Sequence, residues 1–133
     1  MTNKNNITAR VSQTQLDQTR TLPKQKEGFL NINKSQEQLA VGKDQKVCIH
    51  KGAVIDNCYM FGGYMEAHAG AEIKNLIINA GEACLFTGSE TGKILAKEGC
   101  TLTIRSNAKV HAYRQTGPIT FSMYPGNRLN APL

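Results

Sequence analysis

A glycine period constrains this chain more than any other feature. Cut every 18 residues from Lys34, the sequence falls without gaps into the blocks 34–51, 52–69, 70–87, 88–105 and 106–123. Gly52, Gly70 and Gly88 open three successive blocks, and Gly63, Gly81, Gly99 and Gly117 recur at the twelfth position. With 12 Gly in 133 residues, chance places about one Gly in the ten first and twelfth positions, and seven hold it. Each block also carries two short apolar runs. The first comprises Cys58-Tyr59-Met60, Leu76-Ile77-Ile78 and Ile94-Leu95-Ala96. The second comprises Val47 to Ile49, Met65 to Ala67, Ala83 to Phe86, Leu102 to Ile104 and Ile119 to Phe121.

Runs of strand length between glycine corners describe one coil of a solenoid. Glycine this frequent would break a helix, whereas a corner needs positive φ or a sharp bend that Gly supplies without a Cβ clash. The expected fold is therefore all-β: a single-stranded β-solenoid (β-helix) of about five coils of 18 residues over 34–123. The seven glycines serve as its structural turns.

Equivalent positions in successive coils stack at ~4.8 Å. Ile55 then lies on Ile73, and Asn57 on Asn75 as a short amide ladder. Alternation points Val47 and Ile49, Met65 and Ala67, Ala83 and Leu85, and Ile119 and Phe121 inward, with Ile55 and Ile73 also in the core. The fourth block breaks the rule, because Thr101 and Thr103 occupy the inward positions. A one-residue slip or bulge near Cys100 repairs it, on a side that the pattern leaves open.

Residues 1–27 are polar, with only scattered apolar residues (Ile7, Val11, Leu16, Leu22), and read as a flexible arm. Residues 28–133 form the solenoid domain. A first strand enters at Gly28 to Ile32, and a C-terminal cap covers 124–133, where Pro125 and Pro132 cannot continue a ladder. No apolar run reaches the ~20 residues of a membrane helix, and MTNKNNITAR lacks the apolar stretch of a secretory signal. The expected location is cytoplasmic, or exported without a classical signal peptide. Sixteen Lys and Arg against ten Asp and Glu give +6, but the charge is diffuse, so nucleic acid is not an expected partner. The four Cys form no CxxC, and Cys48, Cys58 and Cys84 have apolar neighbours. They read as reduced thiols packed like small hydrophobes.

Three constellations bear on chemistry. Residues 87–93, TGSETGK, miss a phosphate-binding loop by one residue of spacing, and Ile94 replaces the Ser or Thr that would hold Mg²⁺; Gly88 is a corner instead. Glu72 stacked on Glu90 is the carboxylate pair that a polysaccharide-acting enzyme would need, and reads as a solvated surface pair. The sharpest feature is a two-by-two grid in which Cys48 stacks on Glu66 and His50 on His68, with Cys84 continuing the first column. Cys, His and carboxylate are zinc-type ligands. On an outward-facing rectangle at best three of them reach a common point, and an exposed thiol must first lose its proton. The expectation is no cofactor, and weak, pH-dependent zinc uptake at most.

The pattern Gly52-Ala53-Val54-Ile55-Asp56-Asn57…Gly63, repeated as Gly70-Ala71-Glu72-Ile73-Lys74-Asn75…Gly81, resembles the repeats of AIDA-type autotransporter adhesin passengers. That resemblance implies a right-handed β-solenoid of the kind displayed on bacterial surfaces. In layout, a solenoid with polar tails, the chain is also similar to bactofilins, which implies cytoplasmic polymers that grow end to end. The expected function is that of a non-enzymatic bacterial structural or binding module. It would act by self-assembly or protein contact through the solenoid ends and the N-terminal arm. An adhesin-like or effector-like binder of host or glycan surfaces is the alternative, followed by a small polysaccharide-acting enzyme.

Overall fold

The computed structural model of the chain describes residues 25–124 and the backbone of residues 129–132. Its elements are all strands: β1 (Leu30–Ile32), β2 (Gln36–Val41), β3 (Lys46–Ile49), β4 (Val54–Ala67), β5 (Glu72–Leu85), β6 (Glu90–Ala96), β7 (Thr101–Ile104), β8 (Lys109–Gln115), β9 (Thr120–Met123) and β10 (Leu129–Pro132). Every pairing is parallel and joins one coil to the next. The chain is a β-solenoid, as the glycine period predicts. Its long face carries β2, the first half of β4 and of β5, β6, β8 and β10. Its short face carries β1, β3, the second half of β4 and of β5, β7 and β9. Among the described residues no helix is long and apolar enough to cross a membrane.

Inward residues stack into unbroken columns. On the short face these are Val47–Met65–Ala83–Leu102 and Ile49–Ala67–Leu85–Ile104, each residue at most 1% exposed. On the long face Ile55 pairs Ile73, and Cys58, Leu76 and Ile94 follow in one column. Burying each Leu, Ile or Met stabilises the coil by about 1.5–3 kcal/mol, and the ladder lets neighbouring coils share that burial. Asn75 Nδ2 donates to Asn57 Oδ1 at 3.3 Å, the expected amide ladder.

The corners show why glycine recurs. Gly52 N–H donates to Gly70 O, and Gly70 N–H to Gly88 O, both at 3.0 Å, so the corner backbones hydrogen-bond up the stack. At the other corner Gly81 has φ +97°, and a Cβ there would sit 2.6 Å from Gly63 O and 2.7 Å from Gly62 C. Only Gly meets both demands, a left-handed φ and backbone pressed against the next coil.

The period itself is not uniform. Apart from a bulge that sets Phe61 against Ala80, pairing runs at 18 residues from Lys46↔Tyr64 to Ile78↔Ala96, and at 19 from Glu82↔Thr101 onward. It is also 19 at β2, where Gln36 faces Ile55. The extra residue near Cys100 lies before Thr101, in the turn closed by Cys100 N–H donating to Lys97 O at 3.2 Å. This restores Leu102 and Ile104 to the core and displaces the later coils by one position. Asn107 (φ 62°), not Ser106, continues the first corner, with Gly88 N–H bonded to its carbonyl at 3.2 Å. Gly117 stands against Glu98 instead of over Gly99 and lacks the positive φ of the other turn glycines, a correction to its expected role. Phe121 joins the column of Leu102. As the last residue of that column it remains 37% exposed, so it is not the buried core residue expected.

The C-terminal end differs from expectation, and the N-terminal end is described only from Gln25. Of the arm at 1–27, residues 1–24 lie outside the described residues, and Lys26 is bonded to Glu66 on β4. Of the cap at 124–133, Pro125 lies outside them too. The Leu129–Pro132 segment does continue the ladder as β10, pairing Leu129 with Val110 and Ala131 with Ala112. Its Pro132 lies on the edge strand of the described sheet, where a missing N–H is tolerated.

Candidate functional site

The polar feature of the molecule is a pair of outer columns on the short face. Cross-strand pairing stacks Asn31, Cys48, Glu66, Cys84 and Thr103 in one. Two residues further along each coil stand His50, His68, Phe86, Arg105 and Tyr124. The four grid residues are adjacent as the spacing predicts, but three of them are buried and His68 is half-buried. Cys48 is 0%, Glu66 4% and His50 6% exposed.

The cover comes from Lys26, which the sequence places in the arm, and from Phe29, which it places at the start of the first strand. The chain hooks over the columns before entering β1, and Asn31 holds the hook closed. Asn31 Oδ1 accepts from Lys26 N at 2.7 Å, while Asn31 Nδ2 donates to Phe29 O at 2.9 Å and Lys26 O at 3.1 Å. Phe29 meets Tyr64 edge to face at 6.0 Å, and the Lys26 ammonium lies 4.4 Å from the Phe29 ring centre.

Glu66 is the hub. Its Oε1 accepts from Lys26 Nζ at 2.7 Å and His68 Nε2 at 2.8 Å. Its Oε2 accepts from Lys26 Nζ at 2.8 Å and Tyr64 OH at 2.7 Å. Burial alone would push the carboxyl up; the hydrogen bonds from Lys26, His68 and Tyr64 outweigh it and hold Glu66 below the usual carboxylate range. Tyr64 is driven up by burial and by its bond to that carboxylate. His50 turns away from this hub. Its Nε2 donates to Asn31 Oδ1 at 2.7 Å, which leaves Nδ1 to face Cys48 Sγ at 3.9 Å. Burial, reinforced by the Glu66 charge, pushes the Cys48 thiol to about 11. All four cysteines are free and buried, as the apolar neighbours of Cys48, Cys58 and Cys84 predict for those three.

Ligand atoms of Cys48, Glu66 and His68 lie within 4.8 Å of one another. The second column is a stack of flat groups. His50 and His68 are 5.7 Å apart, His68 and Phe86 stack at 4.6 Å and 11°, and Arg105 lies 5.4 Å from Phe86 and 5.1 Å from Tyr124. Sequence reasoning reached the two His of this ladder and missed Phe86, Arg105 and Tyr124. The last two are hidden by the change of period, although Cys84-x-Phe86 repeats the spacing of Glu66-x-His68. It also missed Lys26, Asn31 and Tyr64.

The other constellations do not gather. Glu72 and Glu90 are paired neighbours on the long face, and the half-exposed Glu90 accepts from His111 Nε2 at 2.7 Å. Gly88 is a corner at φ 87°, and Gly92 and Lys93 lie inside β6, which leaves no phosphate loop at 87–93.

Among the described residues, the short face exposes apolar side chains at both ends of the stack. Leu30 on β1 is 50% exposed, and on β9 Phe121 and Met123 are 37% and 45% exposed. Compared with known families, curated proteins and solved structures, the chain matches no family model, no curated protein and no solved structure.

Proposed function

We propose that this protein is a non-enzymatic structural and binding module that works through contacts at the ends of its solenoid, its partner being a second copy of the same chain. The observation that carries the reading is that, among the described residues, the inner columns of the short face end on exposed apolar side chains, Leu30 at one end and Phe121 and Met123 at the other, with Ile32 beside Leu30 buried at 6%. Leu30 belongs to the column of Val47 and Phe121, and Ile32 to that of Ile49 and Met123. A second copy set on the first with its β1 over β9 brings Leu30 onto Phe121 and Ile32 onto Met123. The described strands begin on the short face and finish on the long face. The next copy therefore continues the alternation, β1 over β9 and β2 over β10. Unpaired strand edges favour such contacts, and a head-to-tail interface of this kind leaves each new end open to growth.

Sedimentation over a range of protein concentration tests it. Mass should rise with concentration. Leu30→Asp and Phe121→Asp should each leave a single chain, and mixing the two should give a two-chain species through the one intact pair of ends. A single chain at every concentration, or assembly unchanged in both variants, overturns the reading.

A further inference from the structure

We propose that Cys48, Glu66 and His68 form a binding site for one zinc-class divalent cation, with the Lys26 ammonium as its resident competitor. The donor set is one sulfur, one carboxylate oxygen and one imidazole nitrogen, the mixture that zinc selects. The ligand atoms lie within 4.8 Å of one another. Two ligands of a tetrahedral zinc are roughly 3.3–3.8 Å apart at its usual bond lengths, so closure takes about an ångström of side-chain movement. The ligands are held in place by the fold. Tyr64 OH grips Glu66 Oε2 at 2.7 Å, and Phe86 stacks on the His68 ring at 4.6 Å.

The site already holds a positive charge. Lys26 Nζ sits 2.7 and 2.8 Å from the two Glu66 oxygens, and its side chain, 39% exposed, is the wall nearest solvent. A divalent ion entering from that side displaces the ammonium, which swings into water with its charge intact. The Cys48 S–H proton leaves to solvent as sulfur binds the metal. His68 ligates through the nitrogen that now donates to Glu66, its proton moving to Nδ1, and water takes the fourth position. The thiolate and carboxylate together match the charge of the ion, and no electron is transferred. The ligands lie on β3, on β4 and just after it, none of them among the exposed end residues Leu30, Phe121 and Met123, so one chain holds the whole site without assembly.

Calorimetric titration of the full chain with zinc chloride, in two buffers of different ionisation heat, tests the proposal. The expected result is one ion per chain, with proton release and tighter binding as pH rises. Lys26→Met should tighten binding about tenfold by removing the competing charge. Cys48→Ser and the more exposed His68→Gln should each weaken it by about tenfold to a hundredfold. Amide exchange at Lys26 to Asn31 should quicken when zinc is added, because the hook loses its anchor; ions scattered on the surface would not do this. Circular dichroism checks that each variant keeps its β signal, and His68→Gln decides the matter if Cys48→Ser does not fold. Failure of both the native chain and Lys26→Met to take up one ion overturns the site, as does uptake that His68→Gln leaves unchanged.

Discussion

The Lys26 ammonium lies 2.7 and 2.8 Å from the two oxygens of Glu66, across 40 residues of sequence. The pair ties the hook ahead of β1 to the second half of β4. It also has a titration consequence. Glu66 is held below its ordinary 4.5 in the native state. Between the native and the unfolded value the unfolded chain binds more protons, so stability rises with pH through that window. The contribution is complete above about 4.5 and is lost as pH falls through the native value. Glu66→Gln should cost about 1–3 kcal/mol near neutral pH, at the low end because Lys26 is partly solvated. It should also flatten the acid limb of Tm measured from about pH 6 to about pH 3. An acid limb as steep as that of the native chain would show that Glu66 is not the group responsible.

The thiols work at the other end of the pH scale. Burial raises Cys48 from 9.0 to about 11 and Cys58 from 9.0 to about 12. Above pH 9 the unfolded chain releases thiol protons that the native chain keeps, so stability falls as pH rises toward those native values. Cys48→Ala with Cys58→Ala should lessen that alkaline loss. Thiol reagents near pH 8 should label the native protein slowly and all four cysteines once it is denatured; rapid native labelling of Cys58 would contradict the burial.

Two corner glycines separate strain from collision. Gly99 has φ +90° with no atom within 4 Å of an added Cβ, whereas Gly81 has φ +97° with backbone at 2.6 Å. Gly99→Ala should cost about 1–2 kcal/mol from the left-handed φ alone. Gly81→Ala should cost about 3–5 kcal/mol, because the coils must also move apart. Equal costs in denaturant titration would mean that the close approach at Gly81 is unimportant.

Thr91 occupies the inward column between Ile73 and Val110, fully buried, with its hydroxyl lacking a hydrogen-bond partner. Thr91→Val removes that hydroxyl while keeping the branched shape. It should stabilise the protein by about 1 kcal/mol, raising Tm by about 4 °C. A lower Tm would show that the hydroxyl is satisfied after all.

Leu85 and Phe121 both point inward, but only Leu85 is closed over by further coils, at 0% exposure against 37%. Leu85→Asp should destabilise by several kcal/mol because it buries a charge. Phe121→Asp should lower the melting temperature far less. Similar losses in both would mean that β9 is as enclosed as the central strands.

The glycine spacing alone determined the architecture: strands in coils, the stacking of Ile55 on Ile73 and Asn57 on Asn75, and the adjacency of Cys48 with Glu66. It could do so because a parallel ladder repeats one local environment per coil, so successive corners make the same demand for a left-handed φ and leave the same mark. Two things only the tertiary structure decided. One is the length of each coil. A turn such as Lys97 to Cys100 absorbs an extra residue at little cost, yet it shifts every later column, which is why Asn107, Phe121 and Tyr124 were not legible in their true places. The other is the environment of the grid. Its shelter depends on Lys26 and Phe29 folding back onto Glu66 and Tyr64. A single long-range ion pair and one aromatic contact leave no period in the sequence, and they turn an outward-facing polar rectangle into a buried cluster.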